Sequence, residues 1–147
     1  MRAVPLHLNP QADSITSEYP EDLPSARAYH TADTYNGKIY ILGGTQTNLL
    51  EYDPNGDSDG TYTDLGNPNI SLSTRTYSVI ISDKIYFFSY GKSGIYDITE
   101  NTWVEIDTPS NCGDRFSVTT NGTSIFAFGV QNETSHTGNC VLKYDID

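Results

Sequence analysis

An internal repeat is the feature that most constrains how this chain can fold. A Tyr-Asp pair recurs at Tyr52-Asp53, Tyr96-Asp97 and Tyr144-Asp145, a spacing of about 44–48 residues that lies in the range of β-propeller blades. Each pair follows a strand-like run: KIYILGG at 38–44, KIYFFSYG at 84–91 and SIFAFG at 124–129. Because one such unit cannot bury its hydrophobic face alone, the repeat predicts stacked copies of one supersecondary motif.

Each copy contains further segments typical of short β-strands. Opening strands are predicted at 28–35, 76–81 and 115–120, each followed by a turn, at Asn36-Gly37, Ser82-Asp83 and Asn121-Gly122. Asn-Gly is a strong hairpin signal because both residues tolerate positive φ in a type I′ turn. Third strands are predicted at 49–53, 94–98 and 141–146, and fourth strands at 61–65 and 102–106. Since no window has helical periodicity, the sequence predicts an all-β protein of three four-stranded antiparallel blades, the third lacking its fourth strand.

The residues of the first copy resemble those of the Kelch repeat family. The resemblance rests on Arg27-Ala-Tyr-His30, Asn36-Gly37-Lys38-Ile39-Tyr40, Gly43-Gly44, Tyr52-Asp53-Pro54, and Trp103 of the second copy. The double glycine occurs once, and Tyr62 stands in the first copy where the family has a fourth-strand Trp. The resemblance implies a Kelch-type β-propeller, with strands a to d of each blade running outward from a central channel. A generic β-sandwich predicts no regular Tyr-Asp repeat.

The repeat divides the chain into four segments. Residues 1–22 form an N-terminal segment, 23–66 and 67–109 two Kelch blades, and 110–147 a third blade without its fourth strand. Propellers typically close with about 4–8 blades, so three leave both end faces open. One hypothesis is an oligomer, in which Ser14-Ile15-Thr16 completes the last blade of another copy and the arcs form a ring or a filament. The alternative is a fragment of a longer propeller.

Charge and composition exclude two classes of partner. The formal net charge is −11, from 8 Lys and Arg against 19 Asp and Glu, whereas nucleic acids and anionic membranes attract basic surfaces. The chain has no run of about 18 apolar residues, and its N-terminus has no continuous apolar core of a signal peptide. We therefore expect neither a nucleic acid nor a membrane as partner.

Candidate ligand-binding residues gather on one predicted face of the propeller. The d–a and b–c loops emerge there together, and Arg27, Arg75 and Arg115 lie just before or at the start of first strands. Such arginines can clamp a carboxylate through bidentate hydrogen bonds, or instead pair with neighbouring carboxylates and loop carbonyls. The resemblance implies acidic peptide ligands at this face. The b–c loops add Gln46, Asn48, Tyr90, Lys92 and His136, the last in a long predicted recognition loop from Val130 to Asn139.

An Asp-rich turn carries the one metal motif that the sequence offers. Asn55, Asp57, Asp59 and Asp64 supply side-chain oxygens at spaced positions, as a calcium site requires. Gly66 stands where an EF-hand has its bidentate Glu, so a plain acidic turn is the alternative. No other cofactor is predicted.

Two cysteines and three glycosylation sequons bear on the compartment. Cys112 and Cys140 are predicted on the same face of the third blade, where a disulfide would indicate secretion and free thiols a cytoplasmic protein. The sequons begin at Asn69, Asn121 and Asn132. The sequence leaves both compartments open.

Catalysis finds little support in the sequence. His7, His30 and His136 are scattered, and no paired-carboxylate or phosphate-binding signature is present. We therefore interpret the chain as a non-catalytic Kelch propeller module that binds a protein or acidic peptide through the d–a/b–c loop face. The alternatives are a secreted carbohydrate-binding or carbohydrate-active propeller, and a structural subunit that assembles head to tail.

Overall fold

Three antiparallel sheets follow one another along the chain. The computed structural model describes residues 22–70, 72, 75–89, 92–107, 116–132 and 137–146, with the backbone alone for 130–132 and 137. Blade 1 contains β1 (Thr31–Tyr35), β2 (Lys38–Leu42), β3 (Leu49–Asp53) and β4 (Thr61–Asp64). Blade 2 contains β5 (Thr76–Ile81), β6 (Lys84–Ser89), β7 (Lys92–Asp97) and β8 (Thr102–Ile106). Blade 3 contains β9 (Phe116–Thr120), β10 (Ser124–Asn132) and β11 (Thr137–Asp145).

This element order confirms the predicted all-β class. Each strand pairs with its sequence neighbour, and the third sheet has three strands where the other two have four. Within the described residues, no helix is long and apolar enough to cross a membrane. The predicted blade boundaries at residues 22, 66 and 109 stay predictions.

The hydrophobic core lies between the blades. Successive side chains of a β-strand point to opposite faces of its sheet. The strand β6 therefore contributes side chains to two separate hydrophobic clusters. Ile85 and Phe87 pack with residues of blade 1, in a cluster completed by Tyr40, Leu42, Leu49, Ile70 and Tyr96. Tyr86 and Phe88 pack the other way, with Val79 and with Ile125 of blade 3. Blade 2 is therefore covered on both faces.

The first strands of the three blades lie side by side at the inner edge. β1 contacts β5, and β5 contacts β9. Between β1 and β5, Thr31 Oγ1 lies 2.8 Å from Ser78 Oγ, and the Ser78 hydroxyl donates to the Asp33 carboxylate. Burial raises the pKa of Asp33, against the opposing effect of this hydrogen bond. The arrangement matches the predicted outward order of strands a to d.

The a–b turns follow the predicted chemistry in two blades and depart from it in the third. Asn36 and Gly37 both have positive φ, 50° and 77°, and Ser82 has φ 57°. In blade 3, Thr120 pairs with Ile125, so the connection is longer than two residues. Asn121 Oδ1 accepts hydrogen bonds from the backbone N–H groups of Thr123 and Ser124, at 3.1 and 2.8 Å. The type I′ interpretation is wrong at this turn, because the Asn side chain organises the longer connection.

Two further boundaries differ from the sequence-based expectation. The first strand begins at Thr31 instead of Ala28, because Tyr29 has φ 63° and so interrupts extended backbone. The long loop expected from Val130 to Asn139 is largely strand, since Val130 pairs with Asn139 and Asn132 with Thr137 across β10 and β11. The loop prediction is wrong because antiparallel pairing continues through segments that lack strong strand propensity.

Candidate functional site

A cleft opens between blades 1 and 2 where β1 and β5 begin. Its volume is about 210 Å³, and it is lined by the residues before and at the start of the two strands, Tyr29, His30, Thr31, Arg75, Thr76 and Tyr77. Thr31 pairs with Leu42 at the end of β2, and Leu42 pairs with Leu49 at the start of β3. The cleft therefore lies on the d–a/b–c side of the blades.

An aromatic ring and a cation meet in this cleft. The Tyr29 side chain is 63 % exposed, and its left-handed φ of 63° turns the chain just before β1. The Arg75 guanidinium carbon lies 5.5 Å from the centroid of the Tyr29 ring, within the range of a cation–π contact. The Thr76 N–H donates to the Tyr29 carbonyl at 3.3 Å. These contacts directly join the segment before β1 in blade 1 to the segment at the start of β5 in blade 2.

The double glycine after β2 makes room for this arrangement. A Cβ on Gly43 would lie 2.2 Å from Thr76 Oγ1, and a Cβ on Gly44 would lie 2.2 Å from the Ala28 carbonyl oxygen. Both glycines also have positive φ, 75° and 83°. The Thr76 hydroxyl is buried and has no hydrogen-bond partner within the described residues. Glycine is thus required twice over, by conformation and by space.

Arg27 and Asn48, two predicted ligand-binding residues, are bonded to each other. Arg27 donates through Nη1 to the Asn48 carbonyl at 3.0 Å and through Nη2 to Asn48 Oδ1 at 2.7 Å. Asn48 Nδ2 in turn donates to the Asp64 carboxylate at 2.9 Å. Burial lowers the pKa of Arg27, and the nearby Asp64 charge opposes that effect. This chain of contacts fixes the segment before β1 to the β2–β3 loop and to the end of β4.

The other predicted ligand-binding residues are dispersed. Gln46 Nε2 donates to the Ala26 carbonyl at 3.4 Å, and Lys92 begins β7 and forms an ion pair with Glu105 of β8. Tyr90, Arg115 and His136 lie outside the described residues. Of the predicted set within the described residues, Arg75 is the member that lines the cleft.

The four predicted calcium ligands do not converge. Asn55, Asp57 and Asp59 lie in the β3–β4 connection, whereas Asp64 lies at the far end of β4 opposite Leu50. One Asp64 oxygen accepts from Asn48, and the other accepts from the Gly66 N–H at 2.8 Å. In the part of the chain that the structure describes, no group of three or more His, Cys, Asp or Glu residues is placed to hold a metal ion.

The described residues include only some of those in the cysteine and sequon predictions. Cys140 is 5 % exposed and is bonded in a disulfide, while Cys112 lies outside the described residues, so the Cys112–Cys140 pair stays a prediction. Asn69 and Asn121 are exposed, and Asn132 is part of β10. Occupancy of the three sequons also stays a prediction.

Sequence reasoning missed most of the cleft. Tyr29, Thr76 and Tyr77 were absent from the candidate residues, although each lies within two residues of the start of β1 or β5. The repeat itself is the signal that could have found them, because aligning the first two copies places the residues at the start of β1 beside those at the start of β5. The contact between those entries is a tertiary feature.

Comparisons with known proteins agree with this architecture. The chain is 27 % identical over 145 residues to an F-box/kelch-repeat protein of Arabidopsis thaliana, covering 95 % of this chain and 38 % of the relative. It also matches the solved structure of YjhT with a TM-score of 0.63 and 19 % identity, over 77 % of this chain and 36 % of that chain. The chain thus spans less than two fifths of either protein. No protein-family model matches the sequence. The fold and the curated relative together confirm the resemblance to the Kelch repeat family and the Kelch-type propeller blades predicted from the sequence.

Proposed function

We propose that this chain is a non-catalytic propeller module that binds an acidic peptide segment of a protein partner in the cleft between blades 1 and 2. The observation that carries the proposal is the position of Arg75, which lines the cleft beside the exposed ring of Tyr29. Similarity to an F-box/kelch-repeat protein supports a protein-interaction role in general, without indicating which partner is bound.

The chemistry of the cleft fits a carboxylate beside an apolar side chain. A guanidinium presents several donors to a carboxylate, and such charge-assisted bonds are stronger than neutral ones. Tyr29 and Tyr77 add aromatic surface and hydroxyl groups next to Arg75. Aromatic residues and arginine are the side chains enriched among binding hot spots. In a chain of net charge −11, a cation in a concave site favours an acidic segment at that place over the surrounding surface.

The test is a binding screen against an arrayed library of linear acidic peptides. Each peptide is paired with a version in which Asn and Gln replace Asp and Glu. Arg75→Gln is the test variant, and Lys143→Gln is its control, because both remove one positive charge and Lys143 lies on β11 of blade 3. We expect Arg75→Gln to weaken binding about tenfold or more, and Lys143→Gln to change it less than about twofold.

Two results would contradict the proposal. Equal binding of the acidic peptides and their amide versions would remove the carboxylate from recognition. Unchanged binding by Arg75→Gln, with the variant folded by circular dichroism, would remove the cleft as the site.

A further inference from the structure

A row of three polar side chains leads from the cleft along the boundary between β1 and β5. Thr31 lines the cleft, and its Oγ1 lies 2.8 Å from Ser78 Oγ on β5. The Ser78 hydroxyl donates to the Asp33 carboxylate, and Ser78 is 8 % exposed. Thr31 and Asp33 are two residues apart on β1, so they point to the same face of its sheet. Ser78 therefore bridges the two side chains, and we call these three residues the polar row.

The hydrogens of the polar row have one direction. A hydroxyl has one hydrogen to donate, and an ionised carboxylate can only accept. Because Ser78 gives its hydrogen to Asp33, its oxygen accepts from Thr31 across the 2.8 Å contact. The Thr31 hydroxyl has then used its own hydrogen, and only acceptor lone pairs are left to meet a ligand in the cleft.

The Asp33 carboxylate sets this direction. Burial raises its pKa, and the hydrogen bond from Ser78 opposes that effect, because a hydrogen bond to the charged form favours ionisation. Among the described residues, Ser78 is the side chain that bonds to Asp33, and no Lys or Arg pairs with it. The negative charge therefore acts through the polar row, and it strengthens Thr31 Oγ1 as an acceptor.

The cleft thus offers two different kinds of group to a ligand. The Arg75 guanidinium presents N–H donors, whereas the Thr31 hydroxyl presents an acceptor, and both residues line the same cleft of about 210 Å³. A simple anion can bond to the first group but has no hydrogen for the second. An acidic residue of a peptide can bond to both, because its carboxylate accepts and its backbone N–H donates.

We propose that Thr31 is a specificity-determining residue, whose hydroxyl accepts a hydrogen bond from a backbone N–H of the segment that Arg75 binds through a carboxylate. The inference rests on the proposed function of the cleft and adds the part of the ligand that is recognised beside the acid. Ser78 is a positioning residue, because it holds the Thr31 hydrogen away from the ligand. A carboxylate without a neighbouring N–H is therefore bound less well.

The probe is N-acetyl-aspartic acid N-methylamide, which carries one carboxylate and two N–H groups of the backbone type. Two analogues each replace one of these N–H groups with an ester oxygen, which keeps the shape and removes the donor. Titration of the intact chain at neutral pH, followed by side-chain NMR signals, gives a dissociation constant for each compound. We expect one analogue to bind about three- to tenfold more weakly than the probe, because it lacks the N–H that Thr31 accepts.

Thr31→Val tests the acceptor, since valine has nearly the same shape as threonine and no hydroxyl. The probe and its weaker analogue should then bind within about twofold of each other, a loss of discrimination that a double-mutant cycle measures. Thr31→Ser should keep the discrimination. Thr34→Val is the matched control, because Thr34 lies on the same strand, is exposed and points to the opposite face of the sheet. It should discriminate as the parent chain does.

Ser78→Ala tests the positioning role. The Thr31 hydroxyl remains in this variant, but its hydrogen is released and can turn towards an ester oxygen of the ligand. The ratio of the two dissociation constants should therefore fall towards one, which a loss of packing alone would not produce. Circular dichroism checks that each variant is folded.

Arg75→Gln is measured alongside, so that two kinds of failure can be told apart. If the parent chain does not bind the probe, or if Arg75→Gln binds it equally well, the proposed function fails and this inference fails with it. If Arg75→Gln weakens binding but both ester analogues bind as well as the probe, the inference alone is overturned. Discrimination that persists in Thr31→Val would overturn it in the same way.

Discussion

At the scale of single residues, Gly43 sets how closely blade 2 approaches blade 1, and Gly44 sets how closely the segment before β1 approaches the β2–β3 loop. Both have positive φ, and each leaves no space for a Cβ, against Thr76 in one case and the Ala28 backbone in the other. The Thr45 N–H donates to the same Ala28 carbonyl at 3.1 Å. The sequence suggested the doublet as a family feature, and the structure supplies the physical reason for it.

Gly44→Ala and Gly66→Ala should separate the conformational cost from the steric one. Gly66 has φ 85° and open space where a Cβ would lie, whereas Gly44 has φ 83° and a Cβ there would meet a backbone oxygen at 2.2 Å. We expect Gly66→Ala to cost about 1–2 kcal/mol, and Gly44→Ala to cost at least about 2 kcal/mol more. Chemical denaturation measures both, and equal losses would contradict the steric argument.

Asp33 and Asp97 should give stability opposite dependences on pH. Burial raises the pKa of Asp33, so its contribution to stability is complete below the unfolded-state pKa and is lost as pH rises through the folded-state pKa. The hydrogen bond from Lys84 lowers the pKa of Asp97, so its contribution is present above the unfolded-state pKa and is lost as pH falls through the folded-state pKa.

The variants Asp33→Asn and Asp97→Asn test this pair of signs. Relative to the parent chain, Asp33→Asn should gain stability as pH rises from about 3 to 7, and Asp97→Asn should lose stability over the same range. Urea denaturation at a series of pH values provides the measurement. If the stability of both variants relative to the parent chain changed with pH in the same direction, the pKa shift assigned to Asp33 or to Asp97 would be wrong.

At the scale of strands, position in the arc decides what a hydrophobic residue contributes. Phe88 on β6 and Phe128 on β10 hold equivalent positions, opposite Ser93 and Val141 respectively. Phe88 is 1 % exposed and packs between blades 2 and 3, whereas Phe128 is 47 % exposed. The same residue type at the same repeat position therefore has two different environments.

Alanine at these two positions should have unequal effects. Phe88→Ala removes a buried ring and should cost about 3–5 kcal/mol of the free energy of unfolding. Phe128→Ala should cost less than about 1 kcal/mol, because its ring already contacts water. Thermal and urea denaturation of both variants provide the comparison. A large loss of stability in Phe128→Ala would mean that the face of blade 3 that points away from blade 2 is covered in solution.

At the scale of the whole molecule, the core is shared between blades and blade 2 is covered on both sides. One cluster joins blades 1 and 2, and the other joins blades 2 and 3. In repeat proteins stability is approximately the sum of the intrinsic terms of each repeat and the interfaces between neighbours. Blade 2 has two described interfaces with its neighbours, whereas blade 3 has one. The described sheet of blade 3 also has three strands instead of four.

Hydrogen exchange should follow this order. Amides of β6 should exchange most slowly, and the outer amides of β11 should exchange fastest among the strand residues, since local opening requires the fewest contacts there. Exchange followed by NMR at several denaturant concentrations gives an opening free energy for each amide. Uniform values across the three blades would indicate a single cooperative unit instead.

The sequence by itself determined the repeat, and through it most of the fold. Third and fourth strands at 49–53 and 102–106 agree with β3 and β8, because period-2 hydrophobicity and turn residues act locally. The repeat could not show that Arg27 and Asn48 bond to each other, or that β10 and β11 extend through the expected loop. Only the tertiary structure decided these points and placed Arg75 against Tyr29, because each depends on contacts between residues far apart in the chain.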